Sequence, residues 1–139
     1  MRAIGVIVVA CAILIAGIGQ FANCQAEGKA LTLQNGRQVP MKCLWTAQAE
    51  LATGGVILIG GVLTALSKRK ESQRNLAVMG LGLGAVVMLL PTALIGVCTD
   101  MTALCNQLEK PAMLLLGGIV MISSAASLVM SNRQKEQLA

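Results

Sequence analysis

The residues of this chain able to do chemistry are few: five cysteines, six acidic residues and no histidine. Cys24 and Cys43 bracket the polar stretch "NCQAEGKALTLQNGRQVPMKC", and Cys98 and Cys105 bracket "CTDMTALC". Paired sulfurs can close a structural bridge, or they can exchange, a thiolate attacking a disulfide. Exchange is favoured at Cys43, which follows Lys42 and precedes an apolar run of helical length, since a neighbouring cation and a helix start both promote the thiolate. The spacings argue the other way. Eighteen and six residues intervene, and no Cys-x-x-Cys occurs. Met41 lies beside the Lys42-Cys43 pair and Met101 between the second two cysteines, and soft sulfur of this kind could hold copper(I). The available disulfide reading is simpler, and no cofactor is expected. Without histidine there is no histidine-ligated zinc or haem and no Ser-His-Asp triad.

Glu50 is the one carboxylate that falls inside an apolar run. At about 10 Å from a helix start near Leu44, it either reaches outward to the interface or makes a buried polar contact with a function. The second is the usual reading of an ionisable residue within a membrane span. Gln48 lies near it. Trp45 suits the aromatic belt at a membrane interface.

What must position these residues is a set of lipid-length helices. Hydrophobic residues make up 55% of the 139 and charged residues 12%, with a mean hydropathy of +0.74. A soluble domain carries about 25% charged residues. Four runs, about 3–21, 45–66, 76–97 and 111–130, are each near the ~20 residues needed to cross a bilayer. Lipid offers backbone groups no partners, so each must be helical. The expected fold is therefore an all-α membrane protein, a single four-transmembrane-helix bundle over 1–139. A cleaved secretory signal at 1–26 is a weaker reading. Its apolar core is too long, and the only cleavage-like triplet is Cys24-Gln25-Ala26.

The charges are sorted along the chain. Arg2, Lys68, Arg69, Lys70, Arg74, Arg133 and Lys135, with Glu71 and Glu136, account for the whole net charge of +5. Lys29, Arg37, Lys42 and Lys110 are balanced by Glu27, Glu50, Asp100 and Glu109. Basic residues collect on the cytoplasmic side, so both termini are expected inside and both cysteine-bracketed loops outside, where disulfides persist. That sorting also explains the basic charge without nucleic acid. Cys11, in mid-span, is expected to pack as a small apolar residue.

The halves resemble each other. Eleven residues separate Cys43 from Gly54-Gly55, and twelve separate Cys105 from Gly117-Gly118. Two parallel helix-hairpin repeats are expected, with Cys24 paired to Cys43 and Cys98 to Cys105 as staples of the outer loops. Sequence alone leaves the other connectivities open. Small residues mark helix packing: Gly54 and Gly55, the Gly80/Gly84 GxxxG, Gly117 and Gly118, and Ser123 with Ser127. They serve either the bundle itself or a partner's seam. Pro91 should kink the third helix.

Over "MKC-x-WTAQAE" at 41–50, and again at Cys98, Cys105-Asn106, Lys110-Pro111 and the following glycine pair, the chain resembles bacterial small membrane proteins of domain-of-unknown-function family 4418. The resemblance covers most of the chain. It departs at Leu44, where the family often has histidine, which weakens any metal or haem role carried over to this site. It implies four helices in a bacterial cytoplasmic membrane and no established activity. It also implies an accessory role, because family members are often encoded near ABC-type exporters with FtsX-like permeases.

Three functions are in view. The first is a non-enzymatic accessory or interaction subunit of a transporter or envelope complex, with Met41, Lys42, Trp45, Gln48 and Glu50 as a possible functional surface. The permease, or a second copy of the chain, would be its partner, and the lipid bilayer its surroundings. The second is a membrane thiol–disulfide oxidoreductase, similar in plan to the disulfide oxidase DsbB, with Cys43 and Cys105 reactive and a quinone near the helix ends. The third is a small oligomeric transporter or channel, which lacks a charged path because Glu50 alone is ionisable within the expected spans.

Overall fold

The computed structural model describes residues 2–22, 28, 30–97, 101–103 and 105–136, the side chains of 134–136 excepted. Helix α1 spans Arg2–Phe21, α2 Lys42–Leu66, α3 Lys70–Leu89 and α4 Lys110–Glu136. A π-helical turn, Leu90–Leu94, continues α3, and another, Cys105–Glu109, leads into α4. Four helical segments, Arg2–Phe21, Lys42–Leu66, Lys70–Leu94 and Cys105–Arg133, are long and apolar enough to cross a membrane. The chain is a multi-pass membrane protein by that length and composition.

Between α1 and α2, strands β1 (Leu31–Thr32) and β2 (Gln38–Val39) pair antiparallel, Leu31 opposite Val39 and Thr32 opposite Gln38. The Gly36 amide donates to the Leu33 carbonyl at 2.9 Å, and Gly36 has φ +74°. That left-handed conformation closes a tight hairpin and suits glycine, which has no Cβ to clash. We call this the hairpin end of the molecule. The opposite end, where Arg2 lies near Ala65–Lys68 and Lys70 and Arg74 lie near Ser131, is the basic end.

The helices pair as two antiparallel hairpins. A Cβ added at Gly5 would strike Ala65 at 2.8 Å, and one at Gly54 would lie 3.2 Å from the Ala12 carbonyl oxygen. In the second hairpin Gly80 faces Ser124, and Gly84 faces the Gly117 carbonyl oxygen at 3.0 Å. Small residues thus bring backbones together within each half, and the GxxxG of α3 is an internal seam. Both hairpins leave from the basic end, as parallel repeats do. Contacts of α1 with α4 and of α2 with α3 close the bundle, around Cys11, Ala12, Ile15, Ile57, Val87, Met113, Leu116 and Val120.

Three expectations are corrected. Gly55 and Gly118 have open space where a Cβ would be. Adjacent residues point about 100° apart on a helix, so only one glycine of each pair faces a neighbour. By the same geometry α4 buries Ser124, Ser127 and Ser131 and leaves Ser123 only half-buried. The helices also outrun the apolar runs: α2 begins at Lys42, α3 at Lys70, and the last helical segment at Cys105. Polar end turns are compatible with a helix that extends beyond hydrocarbon. Pro91 lies within one π turn and Pro111 is the second residue of the helix that follows the other. The wider turn accommodates a ring that crowds the preceding backbone and a nitrogen with no proton to donate.

Replacing Gly84 with valine drives a side chain into α4, whereas the same change at Gly82 meets nothing within 4 Å. Thermal unfolding in detergent should show Gly84→Val destabilised by about 1–3 kcal/mol, with Gly82→Val close to the parent.

A buried sulfur and carboxyl site at the hairpin end

The buried face of α2 reads Cys43, Thr46, Ala47, Glu50, Gly54, Ile57, Gly61, steps of three, one, three, four, three and four residues. This is one stripe of a helix. The buried face of the last helical segment begins Cys105, Glu109, Met113. Each stripe therefore opens with a sulfur and places a carboxylate one or two turns deeper, in the order the helical repeat dictates.

The two stripes meet. Cys43 Sγ lies 3.1 Å from Cys105 Sγ, and both residues are fully buried, under Ala103, Met41 and Val97. This contact crosses between the two halves, and Cys43 is itself disulfide-bonded. The separation exceeds the ~2.05 Å of a disulfide bond. Cys24 and Cys98, the other members of the expected staples, lie outside the described residues. Cys43 opens the inward stripe of α2 and Cys105 opens the π turn that leads into α4, so two inward-facing residues meet even though they are distant in sequence. Cys11 packs in the apolar core, as expected.

Deeper in, Glu50 and Glu109 face each other, and each is 0% exposed. None of their four carboxyl oxygens finds a donor among the described residues. Glu50 is the ninth residue of α2, about 12 Å from its start. Its carboxylate rests on Gly19 of α1, where a Cβ would stand 2.8 Å from Oε2. The surroundings are held by other bonds. The Thr46 hydroxyl donates to the Gly96 carbonyl at 3.0 Å, tying α2 to the chain that leaves the first π turn, and the Gln20 amide donates to the Ala47 carbonyl at 3.4 Å.

The possible functional surface is split. Lys42, Trp45 and Gln48 recur every three residues on an exposed side of α2, Met41 is half-buried against the sulfur pair, and Glu50 is inside. "MKCLWTAQAE" thus alternates between a core stripe and an outward one. Glu109 was missed, because Lys110-Pro111 reads as a helix start and leaves Glu109 in a loop. Its place four residues after Cys105, on the same helical face, was the available signal. Among the described residues no three histidine, cysteine, aspartate or glutamate side chains converge as metal ligands.

These features define a class: a four-helix, multi-pass membrane protein with paired helical hairpins and a sealed polar site at one end. The model of the family described as "Domain of unknown function (DUF4418)" matches residues 4–130. The chain belongs to that family. No curated protein and no solved structure matches it.

The cross-half contact is testable with a chain that keeps Cys43 and Cys105 and has Cys11, Cys24 and Cys98 replaced by alanine. After mild oxidation and proteolytic cutting at Lys68–Lys70, the two halves should stay joined on a gel until reductant is added. Halves that separate without reductant would contradict the 3.1 Å approach.

Proposed function

We propose that the chain is a non-enzymatic interaction subunit of the cytoplasmic membrane, with both termini inside, that meets its partner through the hairpin between α1 and α2. The observation that carries this reading is a contrast in exposure. Residues 30–40 are all exposed, with Leu31 at 57% and Leu33 at 51%, while the groups able to do chemistry among the described residues of this end are sealed. Leu31 lies opposite Val39 in the ladder, and Leu33 follows β1 at the start of the turn. A two-stranded hairpin is marginal alone, and its open edges are templates for pairing with another chain. The sorting of basic residues to the other end supports an outward-facing hairpin. The resemblance to proteins encoded beside exporters makes an ABC-type permease the proposed partner, with self-association as the competing arrangement.

The oxidoreductase reading keeps one observation in its favour, the sulfur-to-sulfur approach of 3.1 Å. Reactive cysteines are usually partly exposed and buried ones inert, and both of these sulfurs are fully buried. The structural reading of the pair is therefore preferred.

A photo-crosslinking residue placed at Leu33 in cells should give an adduct that mass spectrometry identifies as a permease subunit. The adduct should be lost when Leu31 and Val39 are also changed to serine. Adducts only with a second copy of the chain would replace the permease with a homo-oligomer, and a mixed disulfide trapped at Cys43 or Cys105 would favour exchange chemistry instead.

A further inference from the structure

We propose that Glu50 and Glu109 form a proton-binding site, a carboxyl–carboxylate pair that holds one proton between α2 and the π turn that leads into α4. The inference is independent of how the hairpin engages a partner. It begins from an imbalance: four buried carboxyl oxygens and, among the described residues, no donor for them. Two carboxylates side by side in a water-poor site repel each other, and a second charge there is disfavoured both by its neighbour and by the loss of water. One proton removes both difficulties at once. It leaves a single charge and turns one carboxyl into the donor that the other lacks. Charge-assisted O–H···O bonds of this kind are among the stronger hydrogen bonds.

Among the described residues, the neighbouring elements supply no donor that takes the proton's place. From α1 comes the bare backbone of Gly19, and from the same turn Gln20, whose amide donates to Ala47. From α2 come Ala47 and Thr46, and the Thr46 hydroxyl is directed at the Gly96 and Lys42 carbonyls. From α4 the next buried residue on the stripe is Met113. The nearest cations in sequence are Lys42, exposed at the start of α2, and Lys110, which follows Glu109 and so points about 100° away from it.

A metal ion fits less well. Magnesium and calcium take six or more oxygens, and this site offers four. The cavity of about 190 Å³ between α1, α2, α3 and α4 is lined by Ile57, Gly80 and Ser127, towards the basic end, and neither glutamate reaches it. The transport reading lacked a charged path because Glu50 alone is ionisable within the expected spans, and Glu109, in the helical segment Cys105–Arg133, adds a second carboxyl. A carboxyl pair that binds a proton at this depth is the element that proton-coupled membrane proteins require. It also couples protonation to shape. Loss of the proton puts two like charges in contact between α2 and the π turn that leads into α4, so the closed hairpin end is favoured by protonation and weakened as pH rises.

The test is infrared and solid-state NMR spectroscopy of full-length protein in lipid bilayers, with glutamate carboxyls labelled with carbon-13. At neutral pH the spectra should contain one protonated glutamic acid per chain, with a C=O band that shifts in heavy water. The band should vanish in the Glu50→Gln/Glu109→Gln double variant. Absence of an acid band, two acid equivalents, or a band that survives the double substitution would overturn the proposal. So would its removal by added sodium, potassium or calcium ions, which would make the site a metal site. The proton count in the unsubstituted protein decides the matter even if the double variant fails to fold.

Discussion

The hairpin end depends on how closely backbones can approach at the small residues of the helix seams. Lipid gives helices no hydrophobic reason to associate, so packing contact must hold them. Gly54 against Ala12 and Gly84 against Gly117 set the spacing of each half. With those distances fixed, α1–α4 and α2–α3 contacts close the bundle, and the inward-facing groups at the head of α2 and in the π turn before α4 meet. Gly19 extends the same principle to the polar site, for its missing side chain is the space that the Glu50 carboxylate occupies. Packing and chemistry share one cause here, the absence of a Cβ.

The four helices could be read from the sequence because lipid enforces them: apolarity, length and charge sorting are all one-dimensional signals. The antiparallel hairpins follow from them and from the short link between α2 and α3. What could not be read is which residues meet across halves. The repeat in the sequence drew attention to pairing within each half, since spacing carries information about neighbours along the chain and none about neighbours around a bundle. Cys43 and Cys105 meet because both face the inside of the bundle at this end, one at the head of α2 and the other in the π turn before α4. Adjacent glycines and serines misled for a related reason. Without knowing the rotation of each helix, Gly54 and Gly55 are equivalent on paper, yet only one faces a partner. Glu109 escaped because a proline two residues later imitates a helix start, and the preceding turn is of the rarer π type.

The chemistry and the exposed surface are divided between two regions of the same end. Sulfurs and carboxylates line the inside, covered by Met41, Val97 and Ala103, while the hairpin stands outside with its apolar side chains uncovered. A single ten-residue stretch, Met41 to Glu50, alternates between the inside and an exposed side of α2. A strongly patterned sequence of this kind is met by a packing requirement on its buried side. This is why its distinctiveness does not by itself reveal an activity.

The link between the halves has a mechanical meaning. Only Ser67, Lys68 and Arg69 separate α2 from α3, and the Gln73 side chain is bonded back to the Ser67 carbonyl at 2.7 Å. Along the chain the halves are joined at this link, which is the pin about which one half would turn against the other across the α1–α4 and α2–α3 contacts. A 25-residue helix is an arm of about 37 Å at 1.5 Å per residue, so each degree of rotation about the pin moves the tips by roughly 0.6 Å. The sulfur contact and the carboxyl pair sit towards those tips, where a small change in local attraction or repulsion has the greatest leverage on the angle of the whole molecule.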